Sequence, residues 1–260
     1  MIAPTEIEES NRQLREAWQL YARVSPGGEA FDRNGLGFAN ANQPWFFMNL
    51  ASLERPVADE SDLKCRAKEA VEYFETRGNP WVLTGSADWF GADAEAVLSG
   101  VGLAHKLDLI GMMSERLHAP AHSRPDVRLR RVDNEETRWA LANLNADSYE
   151  VPQEWGRRAI GSAALWKAGL FGTVAYIGDE PASGAFVLPI DNALYVGWVA
   201  TAKIHRRQGL AELVIRSSLE DARKSTGLER TVLHATSDGF PVYLRMGYRS
   251  VARFPVYAPL

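Results

Sequence analysis

A second cysteine is missing from this 260-residue chain, so Cys65 has no partner for an internal disulfide, a pattern that a reducing compartment permits. Also missing is any apolar run near the roughly 18 residues that a membrane span needs. Asp179, Glu180 and Asp191 break up the most hydrophobic region. The first residues, Met1 to Glu9, are acidic, whereas a secretory leader is basic and then apolar. There is no excess of positive charge: 29 Lys and Arg against 33 Asp and Glu leave a net charge of −4, which gives no general attraction to nucleic acid or an anionic membrane. A metal-ligand set is lacking too. His118 and His122 are four apart, but Pro120 lies between them and no Cys or acid completes a zinc site. The expectation is a soluble, cytoplasmic protein without a metal. What remains is ordinary globular composition, 46% hydrophobic and 24% charged, in a length that suits one large domain or two of about 130 residues.

The segment Leu117–Asp126 has two prolines, small residues and no apolar periodicity, and reads as a linker between domains 1–120 and 125–260. Residues 1–124 carry 18 acids and 12 bases, and residues 125–260 carry 15 acids and 17 bases. The second half is thus the better host for an anionic ligand. Its pattern predicts a strand over 127–132, helices over 134–145 and 154–168, and strands over 172–178, 183–189 and 193–201. A helix from about Gly209 follows, with Ala211, Ile215, Leu219 and Ala222 on one face and Gly227 as its stop. A strand over 231–236, a helix over 239–246 and a strand over 248–257 complete it.

The first half gives a related, poorer pattern. Thr5 and Glu8 form a capping box for a helix through Arg23. Strands are predicted over 36–40 and 45–53, then a helix over 62–76, a strand over 81–84, a helix over 93–99 and a strand over 104–116. The closing order, strand-helix-strand-helix-strand, repeats that of the second half. The fold class expected is mixed α/β: a mostly antiparallel sheet with flanking helices, in two related domains in tandem.

Chemistry concentrates in Val199-Ala-Thr-Ala-Lys-Ile-His-Arg-Arg-Gln-Gly-Leu-Ala211. A strand ends, a basic loop follows, and a helix begins at a glycine. Backbone N–H groups at such a helix start cradle phosphate oxygens, helped by the helix dipole. Downstream, Tyr243 stands four residues before the pair Gly247-Tyr248. With both features the sequence resembles the GCN5-related N-acetyltransferase (GNAT) superfamily. That family's acyl-CoA loop, Arg/Gln-x-x-Gly-x-Gly/Ala, is matched by Arg206-Arg-Gln-Gly-Leu-Ala211. Its second signature, a Tyr four residues before a Gly-aromatic pair, is matched at Tyr243. The resemblance covers about residues 125–260.

The resemblance implies an acyl-CoA N-acyltransferase fold, in which a sheet splays between its fourth and fifth strands to admit pantetheine. It implies acetyl-CoA as co-substrate, with Val199, Ala200 and Thr201 lining pantetheine. Arg206, Arg207, Gln208, Gly209, Leu210 and Ala211 would hold the pyrophosphate, and Tyr243 would be the acid that protonates the departing thiolate. A phenol of pKa about 10 suits a thiol of pKa about 8.5. The reaction implied is acetyl transfer to a primary amine of a small molecule or peptide by direct attack in a ternary complex; a homo-oligomer is compatible with it. One departure stands out: many members carry a glutamate on the fourth strand, and Ala193–Thr201 has no carboxylate. Glu150, Glu154 and His234 are the other candidate bases, and the base stays unassigned. That absence sustains a second reading, a non-catalytic acyl-CoA-binding or sensing module.

In the first half the equivalent loop, Glu54–Asp62, has four acids, Glu54, Asp59, Glu60 and Asp62, and no glycine. Leu98 stands four residues before Gly102, where Tyr243 stands before Gly247. The first half therefore reads as a degenerate domain without a cofactor site. Trp155, Trp166 and Phe171 suit either an acceptor pocket or the core. His205 reads as a brace for the loop, and Cys65 as a structural or surface residue of its helix.

Overall fold

The computed structural model describes residues 4–120 and 126–260. In chain order the elements are α1 (Pro4–Val24), β1 (Glu29–Arg33), β2 (Leu36–Asn40), β3 (Asn49–Leu53), α2 (Glu60–Glu75), β4 (Val82–Thr84), α3 (Ala94–Ser99) and β5 (Leu103–Ser114). There follow β6 (Arg128–Arg131), α4 (Glu135–Ser148), α5 (Gln153–Ala159), α6 (Ala163–Trp166), β7 (Phe171–Ile177), β8 (Glu180–Ile190) and β9 (Ala193–Thr201). The last are α7 (Leu210–Thr226), β10 (Thr231–Ala235), α8 (Phe240–Met246) and β11 (Arg249–Pro259). Short 3-10 turns precede β3 (Phe46–Met48), α3 (Ala87–Trp89) and α7 (Lys203–His205).

Two compact units result. One holds the chain through Met112 with His234–Asp238 and Ser250–Leu260; the other holds Met113–Leu233 with Gly239–Arg249. The last strand, placed with residues 125–260 on sequence grounds, thus lies in the first unit. There the strand order is β1-β2-β3-β4-β11-β5. The β1–β2 hairpin turns on two residues, Asn34 and Gly35, both in left-handed backbone (φ 53° and 79°), the geometry of a type I′ turn. β3 and β4 run parallel with α2 as their crossover. Leu36, Phe38, Leu53, Leu63, Phe74, Trp81, Leu83 and Tyr257 fill the core, so β11 supplies one of its side chains.

In the second unit the order is β10-β9-β8-β7-β6. β6 to β9 pair antiparallel, and β9 and β10 pair parallel with α7 as crossover. The succession of an antiparallel meander, a crossover helix and a parallel strand thus occurs in both units. α4 opens with a capping box, Asn134 Oδ1 accepting from the Thr137 amide at 3.0 Å. α7 buries Leu210, Val214, Ile215, Leu219 and Ala222, so its inward stripe includes Leu210 where the sequence pattern put Ala211.

Several expectations need correction. The helix over 154–168 is two, α5 and α6, broken where Ile160 caps the first, the Gly161 amide donates to the Gly156 carbonyl at 3.1 Å and Trp166 Nε1 donates to the Ile160 carbonyl at 2.7 Å. The stretch 45–53 is a 3-10 turn before a shorter strand, and β1 was not foreseen. α1 runs from Pro4, and the Thr5 cap falls outside the residues whose side chains are described. The middle of the Leu117–Asp126 segment, with His122, also lies outside the described residues.

Candidate active site

β9 is the strand on which the site is built. Its ladder with β10 pairs Leu194, Tyr195 and Val196 with Thr231, Val232 and Leu233, and among the described residues no pairing to β10 follows Val196. Gly197 to Thr201 are held from the other side only, by β8: Gly197 faces Phe186, Ala200 faces Gly184 and Thr201 faces Ser183. Two residues of β9, Trp198 and Val199, therefore stand against Ala185 alone, a β-bulge. Trp198 takes a left-handed backbone, φ 50°, which a bulky aromatic rarely adopts. Asn145 on α4, 0% exposed, donates Nδ2 to the Trp198 carbonyl at 3.0 Å and to the Leu141 carbonyl at 3.0 Å. The Tyr149 ring meets the Trp198 indole edge-on at 6.0 Å.

The loop after β9 alternates in hand. Arg207 and Gly209 are both left-handed (φ 61° and 80°), and such alternation turns successive N–H groups to one side as an anion nest. Gly209 gives α7 no side-chain cap, which leaves the amides of its first turn for another acceptor. The side chains of Arg206, Arg207 and Gln208 are exposed. Arg206 Nε reaches the Thr201 carbonyl at 3.4 Å, and Gln208 Nε2 the Ile204 carbonyl at 3.4 Å. His205 braces the turn, its amide donating to Ala202 at 2.8 Å. Lys203 pairs with Glu150 at 2.8 Å, and Glu212 in the first turn of α7 pairs with Arg216 at 2.7 Å.

Tyr243 lies on α8, a two-turn helix that Gly247 closes in left-handed backbone (φ 99°), the Tyr248 amide donating to the Tyr243 carbonyl at 3.0 Å. Its side chain is buried, with the Tyr248 ring edge-on at 5.8 Å. Burial, then the neighbouring Tyr248 and Tyr149, push the phenol well above its ordinary pKa, so it keeps its proton. Tyr149 thus borders both Tyr243 and the bulge. Residues 199–211 form one continuous piece of the second unit, and Tyr243 comes from α8 in that unit.

The candidate bases do not join them on equal terms. Lys203 holds the Glu150 carboxyl below the usual range, so it is a poor proton acceptor. Glu154 is exposed on α5. His234 packs within the first unit, Nε2 at 3.2 Å from Ser10 Oγ and its ring edge-on to Phe254 at 4.4 Å; burial pulls its pKa down to about 3. His118 is a brace, its amide donating to Met246 at 2.8 Å and its carbonyl accepting from Arg216 at 2.7 Å. Trp166 packs edge-on to Phe186 at 5.8 Å, Cys65 is exposed, and no metal-binding group of three His, Cys, Asp or Glu occurs among the described residues. Asn145, Tyr149 and Trp198 were not picked out from the sequence.

The equivalent place in the first unit is closed. The β3–β4 ladder runs to Ser52 opposite Thr84, the last residue of β4. Asp59 Oδ1 caps the Asp62 amide at 2.9 Å, and Asp62 Oδ2 takes the Ala58 amide at 2.9 Å. Arg66, 4% exposed, pairs with Asp62 and donates to the carbonyls of Gly35, Arg55 and Pro56. The loop thus consumes its own donors. A depression of about 760 Å³ beside β1 is likewise self-satisfied: Glu29 binds Tyr73 and Arg77, and Glu69 binds Arg33.

A parallel strand pair that parts toward its carboxyl end, beside a nest that opens a helix, defines the acyl-CoA N-acyltransferase fold. Residues 129–248 match the model of the Acetyltransferase (GNAT) family, and this part of the chain is similar to that family. Among solved structures, a GCN5-related N-acetyltransferase from Kribbella flavida is 18% identical with a TM-score of 0.73, over 96% of this chain and 95% of that one. A tandem GNAT protein from the clavulanic acid biosynthesis pathway is 13% identical with a TM-score of 0.56, over 96% and 94%. A GCN5-related N-acetyltransferase-like protein from Streptococcus suis is 14% identical with a TM-score of 0.59, over 96% and 99%. The shared fold therefore spans both units. No curated protein sequence matches the chain. None of the described helices is long and apolar enough to cross a membrane.

Proposed function

We propose that the protein is an N-acetyltransferase that moves an acetyl group from acetyl-CoA to a primary amine of a small molecule or peptide, by direct attack in a ternary complex. The observation that carries this reading is the end of the β9–β10 ladder at Val196, just before the nest at Arg207 and Gly209. The residues fit the co-substrate. An extended amide chain such as pantetheine needs a strand edge without a neighbour, and Val199–Thr201 supply one. A pyrophosphate needs converging N–H groups and positive charge, and Gly209–Ala211 with Arg206 and Arg207 supply both.

Bound acetyl-CoA supplies an acetyl thioester, a carbonyl activated toward amines. The strand edge fixes its orientation, and the nest holds its anionic end. Tyr243 keeps a proton on Oη and offers it to the sulfur as the C–S bond breaks; burial that raises the phenol pKa also raises that of a thiol, so the two stay matched. The amine attacks as the neutral base, and its surplus proton leaves by water, since Glu150 is engaged by Lys203. The carboxylate-free β9 favours a second reading, an acyl-CoA sensor without turnover. Residues 1–120 serve in either case as a degenerate domain that takes no acyl-CoA. A panel of amines incubated with acetyl-CoA, with free thiol as the readout, tests the proposal. Thiol release dependent on one amine class supports transfer; coenzyme A binding without release from any amine supports the sensor.

A further inference from the structure

The second unit carries one fully buried polar side chain that reaches from a helix to the strand of the site. Asn145 uses both hydrogens of its amide, one for the Leu141 carbonyl a turn back on α4 and one for the Trp198 carbonyl on β9. Its Oδ1 is buried without a partner. The orientation is forced, since exchanging N and O would set an oxygen against two carbonyl oxygens. We propose that Asn145 is a positioning residue that locks the Trp198 bulge and thereby sets which backbone groups of Val199–Thr201 face the open edge of β9. The inference rests on the acyl-CoA reading of that edge.

The bulge sets the facing of the strand. In a strand, successive residues present their side chains and peptide groups to alternate sides. One inserted residue reverses that alternation for everything beyond it. Without the bulge, Val199, Ala200 and Thr201 would each turn to the opposite side, and the groups now offered at the open edge would be those bound to β8. The bulge is held against a local penalty, because Trp198 sits at φ 50°. Two contacts compensate: the Asn145 amide from α4 on the Trp198 carbonyl, and the ring of Tyr149, which caps α4, on its indole. Of these, only the amide acts on the backbone. Arg206 to Ala211 lie beyond the strand and start a helix anchored by Leu210, Val214 and Ile215, so the phosphate nest does not depend on Asn145.

The test compares coenzyme A with adenosine 3′,5′-bisphosphate, which lacks pantetheine, by calorimetry on the full chain. Asn145→Leu removes the donor at similar volume. The expected result is an affinity for coenzyme A about tenfold lower, the scale of one buried hydrogen bond, with the bisphosphate unchanged. A crystal structure of the variant should have Trp198 at negative φ and an unbulged β8–β9 ladder. Trp198→Gly makes left-handed backbone cheap, so Asn145→Leu/Trp198→Gly should regain the bulge and most of the coenzyme A affinity. An Asn145→Leu protein with the bulge intact, or with both ligands weakened equally, would overturn the proposal. If Asn145→Leu does not fold, the pair Trp198→Gly and Asn145→Leu/Trp198→Gly decides; a double variant that also fails to fold counts against it, because the amide would then be needed for the core itself. If the wild-type chain binds neither ligand, the acyl-CoA reading falls, while the crystallographic arm still decides whether Asn145 sets the register.

Discussion

Tyr243 and His234 are both tyrosine-or-histidine chemistry bent by burial, with opposite consequences. The Tyr243 phenol is pushed up and stays protonated, which suits a donor. Tyr243→Phe keeps the ring against Tyr248 and removes only the proton. Affinity for coenzyme A should hold, while kcat falls about 10²–10⁴-fold, the usual weight of a general acid. Steady-state and pre-steady-state kinetics check this; an unchanged kcat with chemistry rate-limiting removes Tyr243 from the mechanism. His234 is pulled down to about 3 from 6.5. Between those values the unfolded chain holds a proton that the native chain refuses, so stability falls as pH falls from 6.5 toward 3. Some solvent access remains to the ring, which makes about 1.4 kcal/mol per pH unit an upper bound. His234→Gln should flatten that part of the dependence. Urea unfolding of both proteins at pH 6.5 and 4.5 measures the difference, and parallel curves would contradict it.

At the scale of elements, the β9–α7 connection carries the proposed anion site and the 54–62 loop is its acidic counterpart. Coenzyme A should protect residues 199–211 from hydrogen exchange and leave 54–62 unchanged. Gly209→Asp should abolish that protection, since it adds a carboxylate where the phosphates approach and a side chain at φ 80°. Arg66→Met should destabilise the first unit by about 2–4 kcal/mol, because three carbonyls and Asp62 lose a buried partner; thermal unfolding reads it out. Much of this was legible in sequence. Arg206–Ala211 and Tyr243 announce themselves because their spacing is local, and β9 and α7 follow from clear periodicity. β1 escaped because Glu29-Ala-Phe-Asp-Arg33 is short and charged, although Asn34-Gly35 marks its hairpin. Gly161 and Ser162 were the only sign that 153–166 is two helices. Asn145 was invisible for a different reason: a polar residue at the end of a predicted helix reads as solvent-facing, and its acceptor stands 53 residues away.

For the whole molecule, the decisive feature is β11. It lies between β4 and β5 in the first unit, pairs Tyr257 with Leu83, and receives the Thr84 hydroxyl on the Pro255 carbonyl at 2.8 Å. No local pattern encodes that placement, which is why residues 249–259 read as part of the second half. Deleting residues 249–260 should therefore melt the first unit, leaving α2 and its apolar face without cooperative protection by circular dichroism and hydrogen exchange; a first unit that stays folded would contradict this. Crystals soaked in acetyl-CoA should hold one ligand per chain, at β9, and density beside β3 would overturn the degenerate reading. Because β11 is an interior strand, its arrival has a place in time. On the ribosome residues 1–112 emerge first, yet their sheet stays open between β4 and β5 until residues 249–259 have been made. At about 5–20 residues per second that wait is roughly seven to thirty seconds. The first unit to be translated is thus the last to close, and through that interval its exposed strand edges are what a nascent-chain chaperone would have to cover.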